Sequence, residues 1–255
     1  MGLTSAVLRF AAPAPHVTDF SRYLFIGPHP DDIEIGAGAT VAALTAAGKQ
    51  VTFLICTDGR YGLDHAPAGT TPEALIDIRK AESLAGAAAL GVSDVRFLGF
   101  PDGGGYTKDA LLDAMARVIG EVQPEMLFAP DPFVASECHT DHLAVGECAR
   151  TLAFFAPFRE IMALHGAQSA DVQAIGYYMT ARPNRFVPCG RTFLRQLEAL
   201  RCHASQFPAG SEALNSLTTY LKLRAADFAL RSLRGRAEGF RVLGKTQMHC
   251  LPEAK

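Results

Sequence analysis

The chain has 255 residues, of which 49% are hydrophobic and 20% charged, with a formal net charge of −2. That length and mix suit one large soluble α/β domain with a substantial core. The near-neutral charge supplies no basic field for gripping nucleic acid, and no apolar stretch is long enough to span a bilayer.

Residues 1–20, carrying Pro13 and Pro15 and little periodicity, read as an N-terminal arm, with a single domain over 21–255. Arg9 follows a short apolar run where a signal peptide has its charge first, and Ala6 breaks a myristoylation pattern at Met1-Gly2. A cytoplasmic protein is the expectation. Tyr23–Gly27 reads as a short apolar strand, Gly36–Ala47 as an Ala-rich helix stopped by Gly48, and Val51–Cys56 as a second strand. A loop punctuated by Gly and Pro fills 57–70. Thr71 then stands as an N-cap before Pro72 at the first helical position, and the helix runs to about Leu90. Val95–Leu98 is a third strand, 101–105 a glycine turn, Asp109–Val122 a helix and Met126–Ala129 a fourth strand. Further on, short strands are predicted at Ile161–Leu164 and Ile175–Met179, then helices at about 191–204 and 211–234. The arginines from Arg224 to Arg241 read as a local basic helix, either solvated or facing a second subunit of a homo-oligomer.

Strands alternating with helices of this length predict a Rossmann-like, doubly wound, mostly parallel sheet with extra C-terminal helices. In such a sheet ligands bind outside the carboxyl ends of the strands, near the topological switch point. The loops after the first four predicted strands fall on that edge: 28–32, 57–61, 100–104 and 130–142. The six cysteines are irregularly spaced with no C-x-x-C, which fits reduced thiols better than a disulfide framework; Cys138 stands apart because it directly precedes His139.

Two of those loops carry metal-type chemistry. His29-Pro30-Asp31-Asp32 ends the first strand, and His139-Thr140-Asp141-His142 lies about a hundred residues downstream. Either cluster alone has an ordinary structural explanation, since Asp-Asp is a common turn or cap pair. Together on one sheet edge they predict a divalent metal held by His29, Asp32 and His142, with one position left for water. Zinc suits this set, and so does Fe(II). Asp31 is left over as a general base, and His139 as a proton donor or oxyanion partner, with Asp141 fixing its tautomer and keeping it cationic. Asp58, Arg60 and Tyr61 follow the second strand into the same crevice and are placed to meet substrate hydroxyls, whereas Asp102 reads as part of a turn. Gly36-Ala37-Gly38 lacks the third glycine of a dinucleotide fingerprint, and close helix–strand packing accounts for it.

At these residues the chain resembles the PIG-L/LmbE-like zinc deacetylases. The likeness continues through Asp32-Ile33-Glu34-Ile35-Gly36, Ile78-Arg79-Lys80-Ala81-Glu82, Leu98-Gly99-Phe100-Pro101-Asp102-Gly103 and Ala237-Glu238-Gly239-Phe240, covering most of 22–245. The resemblance implies zinc-dependent hydrolysis of an N-acetyl amide, usually on a glucosamine, with acetate released. It places the ligands on His29, Asp32 and His142, the base on Asp31, the assisting pair on His139 and Asp141, and a substrate-facing arginine on Arg79. Some relatives carry an oxyanion-binding Tyr where His203 stands here. The loop 131–138, with Glu137 and Cys138, looks longer than usual. Two rivals remain at this stage: an amidase acting on a thiol conjugate or other acyl-amine, and a non-catalytic, metal-containing sugar-binding protein. A binder has no use for a base beside the metal.

Overall fold

The computed structural model describes residues 7, 10–233 and 235–249; Met1-Gly2, Ala6, Arg9, residue 234 at the end of the last predicted helix, and Cys250 lie outside the described residues. The first half alternates as β1 (Arg22–Gly27), α1 (Asp32–Ala46), β2 (Gln50–Thr57), α2 (Pro72–Ala89), β3 (Asp94–Phe100), α3 (Lys108–Val122), β4 (Met126–Pro130) and α4 (Thr140–Phe155). A short α5 (Arg159–Leu164) then leads to β5 (Ala174–Tyr178) and β6 (Arg185–Pro188). The helices α6 (Phe193–Arg201) and α7 (Glu212–Ser232) precede β7 (Ala237–Gly244).

The seven strands form one sheet in the order β3-β2-β1-β4-β5-β7-β6. From β3 to β5 neighbours run parallel, and β7 pairs antiparallel with both β5 and β6. Alternation along β1 divides the core in two. Tyr23 and Phe25 face a cluster with Ile33, Ala37 and Val41 of α1, while Leu24 and Ile26 face Leu111 and Met115 of α3 and Val145 and Leu152 of α4. Because helices cover both faces, the central strands are apolar throughout rather than alternating. Phe25 stacks on Phe128 of β4 with ring centroids 4.3 Å apart, which locks the two strands that carry the histidine loops.

The N-cap at Thr71 forms as its sequence predicts, its side chain accepting from the Ala74 N–H at 3.2 Å. Three expectations need correcting. First, α1 begins at Asp32, four residues before Gly36, so the turn carrying the first cluster runs directly into the helix, with Asp31 as its N-cap and Asp32 as its first residue. Second, Ile161–Leu164 is helical; only Met162 is buried there, and one inward side chain per turn suits a helix better than a strand. Third, Arg224–Arg241 is not one helix. The α7 helix stops at Ser232, capped by left-handed Leu233, and Arg241 lies instead in β7, which is buried nearly throughout between β5 and β6. Before β1, a 3-10 turn at Val17–Asp19 is fixed by the Tyr23 hydroxyl, which donates to the Val17 and Phe20 carbonyls.

Gly36 is required by packing. A Cβ there would lie 2.2 Å from the Tyr178 ring, whose hydroxyl donates across to the Ile26 carbonyl at 2.7 Å. Gly36→Ala is therefore expected to force α1 off the sheet and lower the unfolding free energy by about 1–3 kcal/mol in a urea titration.

Candidate metal centre

The strand order places the switch point between β1 and β4. The loop after β1 and the loop after β4 therefore meet, although their clusters are far apart in sequence. The meeting point is one oxygen: Asp32 Oδ2 lies 3.1 Å from His29 Nδ1 and 3.4 Å from His142 Nε2. Asp32 also accepts the His29 backbone N–H at 2.8 Å, which sets the carboxylate across its own turn. Donor atoms of His29, Asp32 and His142 all lie within 4.8 Å of one another, so these residues can hold a metal ion.

A second group, His29, His139 and Asp141, meets the same distance criterion. Its carboxylate is already committed. Asp141 is fully buried and accepts from His29 Nε2 at 2.9 Å, from the Gly103 and Gly104 N–H groups at 2.8 and 2.9 Å, and from the Tyr106 hydroxyl at 2.8 Å. Both glycines have positive φ (74° and 80°), the conformation that turns their N–H groups onto the carboxylate. Asp141 is thus an orienting carboxylate for His29, not the tautomer-fixing partner expected for His139; its Oδ2 is 3.9 Å from His139 Nδ1.

His139 is the N-cap of α4 and is half exposed to solvent. Its Nδ1 accepts the Asp141 backbone N–H at 3.3 Å, so in the neutral ring the proton sits on Nε2. Burial and the neighbouring His29 and His142 rings hold its pKa below the ordinary value, contrary to the expected cationic state. His29 behaves oppositely. Burial disfavours its charged form, but hydrogen bonds to Asp141 and Asp32 outweigh that and raise its pKa to about 10. His142 is also raised; burial opposes the shift, and Asp32 provides it. Burial likewise opposes ionisation of Asp32, yet His142 and His29 hold its carboxyl far below the usual range. Two imidazoles driven toward the cationic form report an excess of carboxylates, which a dication would neutralise.

Asp31 caps α1 with φ at 113°, a strained left-handed geometry for a non-glycine residue. Burial pushes its pKa up to about 6, against the pull of Arg79. The Arg79 guanidinium reaches Asp31 Oδ2 at 3.0 Å, the Pro30 carbonyl at 2.6 Å and the Gly59 carbonyl at 3.1 Å. It pins two loops and the carboxylate together while lining the cleft above them.

That cleft has a volume of about 370 Å³ and is lined by His29, Asp31, Tyr61, Gly62, Arg79, Asp102, Gly103, His139 and Gln206. Arg60 is absent from this lining; it turns back onto Asp58 of its own loop, a pairing two residues away that satisfies it locally. His203 is absent too. It is completely buried behind the centre, with Nε2 3.1 Å from Glu34 Oε1, in a space that exists because residue 86 is glycine. With no exposed surface, it has nothing to offer a substrate in this conformation.

A family model described as GlcNAc-PI de-N-acetylase (PIG-L) matches residues 24–153. The diacetylchitobiose deacetylase of Thermococcus kodakarensis is 32% identical over 240 residues, covering 92% of this chain and 88% of that one. The chain belongs to the PIG-L family. The N,N'-diacetylchitobiose deacetylase of Pyrococcus horikoshii superposes with a TM-score of 0.88 at 26% identity, covering 99% of this chain and 97% of that one. The 4-carboxy-2-hydroxymuconate hydratase GalB of Pseudomonas putida shares the fold, with a TM-score of 0.72 at 19% identity, covering 87% of this chain and 96% of that one.

Sequence reasoning missed Tyr106 and the two glycine N–H donors around Asp141, and the pairing of Glu34 with His203. Only the glycine run at 103–105 hinted at the first; nothing in the spacing joined residues 34 and 203. Asp141→Ala should leave those donors without an acceptor in a buried place and cost about 3 kcal/mol or more of stability by chemical denaturation. A loss below about 1 kcal/mol would mean that the four donors find other partners.

Proposed function

We propose that this protein hydrolyses the N-acetyl amide of an amino-sugar compound, such as an N-acetylglucosaminyl derivative, releasing acetate and the free amine. The observation that carries this reading is the position of Asp31, adjacent to the three-residue donor set and lining the cleft together with His139. Family membership and the deacetylase names of the relatives support amide hydrolysis. The cleft volume falls within the range of small-molecule sites.

Two imidazole nitrogens and one carboxylate, amid an excess of acidic groups, fit a catalytic zinc ion held by His29, Asp32 and His142, and would also accept Fe(II). When bound, such an ion supplies Lewis-acid chemistry, polarising a carbonyl and making water more acidic. The chain's own residues do the rest. Asp31, held by Arg79, accepts the proton of the attacking water as the new C–O bond forms. His139 donates from Nε2 to the former carbonyl oxygen as negative charge gathers there. Asp31 then passes its proton to the nitrogen as the C–N bond breaks, which leaves a neutral amine and a carboxylic acid that ionises to acetate. Tyr61, Asp102 and Gln206 at the cleft wall provide polar groups for sugar hydroxyls. The cytosolic setting belongs to the same reading, supported by free thiols at the five described cysteines and by the lack, among the described residues, of a helix long and apolar enough to cross a membrane.

The test is acetate release from a panel of N-acetylated mono- and disaccharides, alongside acylated thiol conjugates, with metal content measured on the same samples. Chelation should abolish turnover, and added zinc should restore it. Asp31→Ala should lower kcat by about 10²- to 10⁴-fold while bound metal stays near the wild-type level. Activity within a few-fold of wild type would remove Asp31 as the base. Cleavage confined to the thiol conjugates would transfer the reading to an amidase.

A further inference from the structure

Glu137 lies outside the donor set, in the loop between β4 and α4, yet its carboxylate reaches the second histidine cluster twice. Oε2 lies 3.0 Å from His142 Nδ1, and Oε1 accepts the His139 backbone N–H at 2.8 Å. The side chain is 24% exposed, so the contact is shielded but not sealed. The loop that presents it is itself ordered by hydrogen bonds. Asp131 accepts from the Thr180 hydroxyl and from the Phe133 N–H, and the Glu137 N–H donates to the Val134 carbonyl at 3.0 Å.

The chemistry of the contact decides which nitrogen of His142 is free. An ionised carboxylate only accepts hydrogen bonds, so in the neutral ring, the form that can bind a metal, the proton sits on Nδ1, facing Glu137. Nε2 then carries the lone pair, and it is Nε2 that faces Asp32 Oδ2 at 3.4 Å. His29 is arranged in mirror fashion: Asp141 accepts from its Nε2, and its Nδ1 faces the same Asp32 oxygen. Each ring therefore has one nitrogen held by an outer carboxylate and the other directed at a common point.

We infer that Glu137 is a positioning residue of the metal centre, which fixes His142 as the Nδ1–H tautomer, aims its Nε2 into the donor set and anchors the backbone of His139. This rests on the assignment of His29, Asp32 and His142 as ligands. Removing an outer carboxylate of this kind typically weakens metal binding by about 10- to 100-fold.

The experiment measures the zinc dissociation constant of the full chain by competition with a chromophoric chelator, for wild type, Glu137→Ala, Glu137→Gln and His142→Ala. Nitrogen-15 shifts of the His142 ring are recorded on the zinc-loaded proteins. Glu137→Ala is expected to weaken binding by about 10- to 100-fold, with loss of the single Nδ1–H signature. Glu137→Gln keeps an acceptor oxygen and should remain within a few-fold of wild type with the signature intact. A role limited to holding the loop would not separate the two variants in this way. Glu137→Leu, similar in size but without an acceptor, should repeat the alanine result if that variant does not fold. Binding by Glu137→Ala within about twofold of wild type, with unchanged ring shifts, overturns the inference alone. If wild type binds no zinc, or His142→Ala binds it equally well, the ligand assignment falls and takes the inference with it.

Discussion

A single carboxylate oxygen, Asp32 Oδ2, facing one nitrogen of His29 and one of His142, is the contact around which the molecule is arranged. It exists because β1 and β4 are neighbours at the point where the winding of the sheet reverses, so their C-terminal loops open into the same crevice. The stacked Phe25 and Phe128 rings beneath those loops keep the two strands in fixed relation. Outer carboxylates then hold each imidazole from behind. Asp141 is itself fixed by N–H groups from the loop after β3, so three separate strand ends converge on one centre.

Such a cluster is costly to bury, and the fold offsets the cost with paired charges and backbone donors rather than with apolar packing. Arg79 bridges the loops after β1 and β2 and meets the Asp31 carboxylate directly. Behind it, the buried Glu34–His203 pair ties α1 to the segment after α6, over a glycine on α2 that leaves room for both. The left-handed geometry of Asp31 is tolerated only because these neighbours over-determine it, a common arrangement where a reactive group must be held out from a helix end.

The architecture does not by itself select a reaction. A hydratase shares the fold at 19% identity, so the doubly wound sheet is a platform and the chemistry belongs to the side chains on its carboxyl edge. Beside the three-residue donor set a carboxylate and an imidazole, Asp31 and His139, open to the same cleft, and the proposed amide hydrolysis rests on them, since a site that only bound a ligand would need neither.

Much of this was legible in the sequence. Apolar runs gave the strands β1 to β5, because strands buried on both faces must be apolar throughout, and alternation with helices gave the parallel course of the first four. The punctuation at Thr71-Pro72 gave a helix start, because capping is a local matter. The two histidine clusters and their shared edge followed from the chain order of strands and loops. The tertiary structure alone decided the partnerships. That Asp141 serves His29 instead of His139, that Glu137 reaches His142, that Arg60 turns back to Asp58 and that His203 sits buried on Glu34 depend on three-dimensional distances with no periodic trace in the chain. The same holds for β7, whose Arg241 closed the run of arginines that suggested a surface helix: its burial comes from strands and a helix far away in sequence, and only the folded chain brings them together.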